Sequence, residues 1–226
     1  MTLPHCNRSG RQKNLIGGFS LIELLLALSL GITLSGSILQ VLISEMDLGL
    51  RVNRLLRERS QQQRTLALIS DDVRRSRRIS ATPQLERHAC SLAGRLPVLH
   101  LITDAGAITY SVGTAPSGIW RGQVLMRCGP AFDLLGQPSV DSSAQNRVVV
   151  DGLASEVDLD EDCNSRADSS GAMAIDLAGS SQKGFSACLI HGISQPVVKI
   201  RLQQSFALPT GEQQKLTSTT YATPLT

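Results

Sequence analysis

The sequence is poor in aromatic residues: four Phe, two Tyr and one Trp in 226 residues. A core built from so few rings must be mostly aliphatic, and no aromatic residue interleaves the arginines of 51–78 as a stacking platform for single-stranded nucleic acid would require. No G-x-S-x-G, P-loop, H-E-x-x-H or dinucleotide-type glycine cluster is present, so the common enzyme signatures have no foothold. His88, His100 and His191 are scattered, and their placing does not suggest a zinc knuckle. No C-x-x-C occurs, and no internal repeat. No catalytic function and no cofactor are expected. Proline is missing from the whole of residues 19–82, which permits a very long helix.

Excess charge of one sign is also lacking once the first residues are set aside. The net charge of +3 belongs to residues 1–18, with Arg8, Arg11 and Lys13 and no acid; the rest of the chain is neutral overall. Overall basicity therefore argues nothing about nucleic acid. Within the neutral remainder, residues 44–80 carry nine Arg against five acids, including "RRSRR" at 74–78. That run invites a DNA or lipid-phosphate reading. The plainer reading is a solvated helix face, or contacts to acids on neighbouring chains, and nucleic-acid binding is left open.

What is present is an apolar run, "LIGGFSLIELLLALSLGITLSGSILQVLI", from Leu15 to Ile43. From Phe19 to Ile43 a helix would span about 37 Å, enough to cross a bilayer with some tilt. It is longer than the apolar core of a cleaved secretory signal. The cationic start favours a cytoplasmic N-terminus. Glu23 interrupts this run. A carboxylate at the middle of a membrane helix costs about 2.5–3.5 kcal/mol; here, about a turn and a half from the end, the cost is smaller. Glu23 either reaches the headgroups or meets a cationic partner. A cut between Gly18 and Phe19 would create one: an α-amine four residues before Glu23, at similar depth, able to pair with a neighbouring subunit's carboxylate.

"GGFSLIELLLALSLG" behind a basic leader resembles the N-terminal processing signal of type IV prepilins and type II secretion pseudopilins. The resemblance covers about 30 residues and implies a specific chemistry. A membrane prepilin peptidase would cut after Gly18 and methylate the new N-terminus at Phe19, and Glu23, fifth in the mature chain, would serve assembly. It implies partners as well: that peptidase, other pilin subunits and an inner-membrane assembly platform. Gln40 stands in the region where many major pilins have a proline. Gly31 and Gly36 make "GITLSGS" a soft segment, each costing about 1 kcal/mol of helix propensity against Ala.

Helical periodicity continues beyond the apolar run. Leu48, Val52, Leu55, Arg59, Gln62, Leu66, Ile69 and Val73 recur at spacings of four and three, which predicts one face laid on something. Pro83 predicts the stop. The expected organisation is a cleaved leader (1–18), a membrane or filament-core helix (19–43), an amphipathic continuation (44–80) and a β-rich periplasmic head (81–226).

In the head, "LPVLHLITDAGAITYSVG" predicts two strands about a turn at Asp104-Ala105-Gly106, with Ile108, Tyr110 and Val112 on one face. "GIWRGQVLMRC" sets Trp120, Val124 and Met126 against Arg121, Gln123 and Arg127. "RVVVDGLASEVDLD" predicts a strand, a turn and a second strand; "AMAIDL" and "FSACLI" are short candidates. "QPVVKIRLQQSFAL" places Val198, Ile200 and Leu202 inward and Lys199, Arg201 and Gln203 outward. Long loops are expected at 133–146 and 160–171. The predicted class is α+β, a long N-terminal helix packed on an antiparallel sheet. This is the layout that the family resemblance implies. "AITYSVG…GIWRG" and "VVVDGLASEVDL" are similar to phrases of the larger minor pilins related to pilus subunit W and pseudopilin J.

Five cysteines are present. Loss of the leader would remove Cys6 and leave Cys90, Cys128, Cys163 and Cys188, an even set suited to an oxidising periplasm. Three connectivities are possible; moderate loops favour Cys90–Cys128 and Cys163–Cys188, and reduced buried thiols are the alternative. Residues 151–168 hold seven acids, and Asp158, Asp160 and Asp162 begin like a calcium loop. Cys163 then stands where the turn Gly belongs, and Ser169 where the closing Glu belongs. Some pseudopilins bind calcium in the head, but a solvated acidic loop facing a neighbour's Arg-rich helix fits these residues better.

The resulting expectation is a minor pilin, an inner-membrane precursor with a periplasmic head that is later drawn into an extracellular pilus. The alternatives are a secretion pseudopilin and an uncleaved, singly anchored periplasmic binding module.

Overall fold

The computed structural model describes residues 20–155, 163, 173–177, 184–191, 195–208 and 211–225. The expected cleavage position, Gly18 and Phe19, and the calcium-like Asp158, Asp160 and Asp162 lie outside the described residues. The chain divides into two compact units, Met1–Gly49 and Leu50–Thr226.

A single helix, α1 (Leu21–Arg74), runs through the proline-free stretch. Ser20 caps it: its Oγ accepts from the Glu23 N–H at 3.3 Å, and its carbonyl accepts from the N–H groups of Glu23 and Leu24. Ser20 and Glu23 stand three apart, the spacing of a capping box, with the carboxylate in the first turn where the helix dipole favours it. In the first unit α1 is apolar and exposed all round, and it is long and apolar enough to cross a membrane. Three of its hydroxyls turn back onto the helix. Ser29, Thr33 and Ser37 donate to carbonyls three or four residues back, at 2.9–3.2 Å, so none depends on water.

In the second unit α1 buries one face. Gln62, Leu66, Ile69 and Val73 are buried as the periodicity predicts, but Val52 and Arg59 are exposed, and the place expected for Arg59 is taken by Glu58. The helix also ends sooner than Pro83 implied. Arg74 is its last residue, and Ser76–Ile79 form strand β1 against β2 (Leu96–Thr103). Three interactions draw the chain out of helix. Ser76 Oγ bonds the Val73 carbonyl at 2.6 Å, Arg77 pairs with Asp104, and Arg78 pairs with Glu86. The edge of a sheet outcompetes a helical continuation that would bury nothing. The expected extent of 44–80 is thus corrected to an end at residue 74.

The remaining strands are β3 (Gly106–Thr114), β4 (Gln123–Gly129), β5 (Gln145–Leu153), β6 (Met173–Asp176), β7 (Phe185–His191), β8 (Pro196–Ala207) and β9 (Gln213–Ala222). They form one antiparallel sheet in the order β1-β2-β3-β4-β5-β8-β7-β6, with β9 also on β8. The β2–β3 hairpin turns at Asp104-Ala105 as predicted. β6 and β7 match the two short candidates. β8 buries Val198, Ile200 and Leu202, and Gln203, expected outward, is buried as well. β9 had no counterpart in the sequence reading, because its alternation of Gln, Thr, Ser and Lys offers no apolar face.

Two further readings are corrected. In β4 Val124 and Met126 are buried, but the opposite face is buried as well. Leu125 joins the core cluster with α1, Arg127 is buried, and Trp120 precedes the strand. Asp151-Gly152 does not end a strand. Gly152, with φ +65°, keeps β5 going through a local irregularity, and its N–H bonds the Arg121 carbonyl at 2.8 Å.

The core is aliphatic, as the scarcity of rings requires. Leu66, Ile69 and Val73 of α1 meet Leu99, Leu101, Ile108, Val112, Leu125, Ile200 and Leu202 of the sheet, with Tyr110 and Phe185 as the large rings. β5 and β8 share only the pair Leu153↔Gln204. Gly184 (φ +77°) makes that crossing possible: a Cβ there would lie 2.7 Å from both Ala154 N and Gln203 O.

Candidate functional site

Two places carry more chemistry than packing requires. The first is the N-terminal half of α1. Glu23 sits in its first turn, on a helix whose leucines are 54–80% exposed from Leu21 to Leu30. Ala27, Gly31 and Ser35, each four apart, leave a shallow groove with Leu28 and Leu39 beside it. A Cβ built at Gly31 or Gly36 meets nothing within 4 Å. This surface is complementary only to something apolar: lipid tails, or other helices able to approach closely.

The second place is the ion-pair system of the head, which the sequence reading missed. Asp72, one residue from the apolar stripe, is buried. It accepts from Tyr110 Oη at 2.5 Å, from Arg127 Nε at 2.7 Å and from Arg127 Nη2 at 3.2 Å. Arg127 Nη1 also donates to the Pro130 carbonyl, and its guanidinium lies 4.7 Å from the Phe132 ring centroid. Burial, and then the Asp72 charge, raise the Tyr110 hydroxyl's pKa well above its ordinary value. Burial opposes the charge on Arg127, but the bonds and charge of Asp72 outweigh it and the pKa is raised. Arg127 therefore stays cationic and Tyr110 stays a donor at neutral pH. Together they clamp α1 to β3 and β4.

A second system has one cation and two acids. Arg121 Nη2 lies 3.1 Å from Glu58 and 3.3 Å from Asp151, and Asp151 also accepts the Arg121 backbone N–H at 2.9 Å. Beside it opens a cleft of about 660 Å³ lined by Arg54, Arg57, Gln61, Ile119 and Trp120. Glu58 and Asp72 each stand one residue from a position of the predicted strip, Arg59 and Val73, which is the only sequence signal either acid gave. Their partners, 63 and 55 residues away, had no sequence signal.

Both expected disulfides are formed, Cys90–Cys128 and Cys163–Cys188. The first ties the segment after the 3-10 turn Pro83–Leu85 to the sheet face opposite α1. Beneath it, His88 and His100 both approach the Thr109 hydroxyl, at 3.2 and 2.8 Å. A hydroxyl has one proton, so at least one imidazole must donate its own N–H. Among the described residues, no group of three or more His, Cys, Asp or Glu could hold a metal ion.

No family model, no curated protein and no solved structure matches the chain.

Proposed function

We propose that this chain is a type IV filament subunit made as a membrane precursor, a minor pilin of the larger, W-like kind. The observation that carries the reading is that the phrase "GGFSLIELLLALSLG" leads, from Leu21 on, into a helix with an unburied apolar surface. Glu23 stands alone among apolar side chains in the first turn of a helix that buries none of that stretch. An isolated carboxylate there is costly. It becomes favourable if the leader is cut after Gly18 and the amine of Phe19 on a neighbouring subunit meets it. The apolar half of α1 would then exchange lipid for neighbouring helices, with the Ala27-Gly31-Ser35 groove allowing close approach. The two disulfides suit a head that folds in the periplasm.

The subunit would be held in the inner membrane until an assembly platform extracts it into the fibre. Long loops and a large head favour low abundance and a place near the tip, by analogy with other large minor pilins.

Mass spectrometry of the protein from its native host provides the test. The expected N-terminus is methylated Phe19, and Glu23→Val is expected to leave the protein in the membrane and absent from sheared fibres. A chain that keeps residues 1–18, or a Glu23→Val variant that polymerises as the wild type does, points instead to a singly anchored binding module.

A further inference from the structure

The loop between β4 and β5 holds two leucines out in solvent. Leu134 and Leu135, at its tip, are almost wholly exposed, and the backbone beneath them is tightly bonded. A bridge between Phe132 and Pro138 closes the tip. The Asp133 N–H donates to the Gln137 carbonyl at 2.8 Å, and the Gly136 N–H to the Asp133 carbonyl at 3.1 Å. Asp133 Oδ1 accepts from the N–H groups of Leu135 and Gln137, at 2.9 and 2.8 Å. Gly136, with φ +75°, permits the turn. Arg75, just past the end of α1, donates to Gln137 Oε1 at 2.6 Å. These bonds keep both leucines off the chain's own apolar surface, an arrangement that becomes favourable when something covers them.

The base of the same loop forms a wall of a mostly apolar cleft of about 300 Å³. Leu68 of α1, Phe132, and Val148 and Val149 of β5 line it. Arg64 and Arg147 line it as well, and both are exposed. Among the described residues neither has a carboxylate within ion-pair distance. The third arginine there, Arg127, is committed to Asp72. The cleft therefore suits a ligand that is apolar and anionic side by side. The tip has that chemistry. Its leucines follow Asp133, which is exposed and spends only Oδ1 on the turn, leaving Oδ2 to meet a cation.

We propose that two copies of this chain pair through this face, each placing its Leu134-Leu135 tip in the other's cleft with Asp133 beside Arg64 and Arg147. A tip held away from its own cleft is free to enter a copy's. Tip and cleft meet at Phe132, so knob and hole are neighbours on one patch. Such a patch is self-complementary about a two-fold axis and closes at two copies. A bilayer would accept the leucines, but it would leave the cleft and its two arginines unmatched and would draw the Asp133 carboxylate toward the acyl chains, which is costly. The pairing does not depend on α1 entering a filament.

The test uses the full chain in detergent micelles, with association followed by energy transfer between differently labelled copies. The wild type is expected to form a reversible dimer. Leu134→Ser with Leu135→Ser should weaken it about a hundredfold, since the apolar burial of both tips is lost. Arg64→Glu with Arg147→Glu should weaken it about tenfold, by turning attraction into repulsion. Asp133→Asn keeps the Oδ1 acceptor and removes only the charge, and should have a smaller effect of the same sign. All five side chains are exposed, so each variant should keep the wild-type melting temperature. Mixing the leucine variant with the arginine variant leaves one of the two tip–cleft contacts intact, so the mixture should associate better than either variant alone. A wild type that stays monomeric at its highest soluble concentration overturns the proposal. So does a dimer indifferent to the leucine variant, which would place the contact on the apolar half of α1. Sensitivity to the leucines without sensitivity to the arginines, or a mixture no better than its components, overturns it too. So does a monomer that adsorbs to phosphatidylglycerol vesicles through these leucines, which would identify a membrane contact. An uncleaved leader would sink the filament reading and leave this measurement readable.

Discussion

The two units of this chain use leucine in opposite ways. In the first, Leu21, Leu30 and Leu34 are 67–80% exposed, and the helix is held by its own backbone and by hydroxyls bonded back to its carbonyls. In the second, Leu99, Leu101, Leu125 and Leu202 are wholly buried, and the buried charges of α1, Glu58 and Asp72, are paired across to the sheet side. The first unit is a helix whose side chains await a solvent or partner; the second has a core of its own. An apolar residue thus faces outward in one place and builds a core in the other.

The sharpest way to break this division is to unpair the buried charge. Asp72→Ala leaves Arg127 charged and nearly buried, its side chain 7% exposed, and should cost about 3–5 kcal/mol. Thermal unfolding followed by circular dichroism would read this directly. Replacing both partners, Asp72→Leu with Arg127→Met, should recover much of the loss, because the burial penalty of the two ions goes with their attraction.

Paired leucine substitutions come next. Leu99→Ala should destabilise the head by about 2–5 kcal/mol through lost burial and a cavity, whereas Leu34→Ala should leave the same unfolding transition unmoved. Equal shifts for the two variants would end the comparison.

The smallest effect is that of pH. Burial lowers the pKa of His100 below its ordinary 6.5, while Glu86 works against that shift and His88 and Arg78 reinforce it. The unfolded chain therefore binds the proton more readily than the native one. This contribution to stability is complete above about pH 6.5 and fades as the pH falls toward and through the lowered native pKa. Acid should loosen the Cys90 side of the sheet first, and His100→Asn should flatten that part of the pH profile. Denaturant midpoints measured from about pH 7.5 down to about 4.5 would show it.

The sequence was legible where periodicity and covalent chemistry speak locally. The apolar run, the buried series Gln62, Leu66, Ile69 and Val73, the hairpin about Asp104-Ala105, the inward face of β8 and both cysteine pairs could all be read from spacing. It was misleading where a distant partner decides. Arg127 reads as an outward residue until Asp72 is placed against it. Asp151-Gly152 reads as a turn until Arg121 docks on it, and "SRRI" reads as helix until β2 offers an edge. β9 was invisible because its inward side chains are mixed, with Gln214, Ser218 and Thr220 among Leu216 and Ala222. Its Leu216 carbonyl and Ser218 hydroxyl bond the Gln62 amide, and its Thr220 hydroxyl lies 3.4 Å from that of Ser70.

What residues 1–226 determined alone is the existence of a long helix with an apolar run up to Ile43 and a single acid in that run, because helix propensity, proline placement and hydropathy are properties of neighbours in sequence. That β4 is buried on both faces, where α1 stops, and which charges are buried together were decided only by the assembled sheet. Desolvating an ion is tolerable only when its partner arrives, and the partner comes from far along the chain.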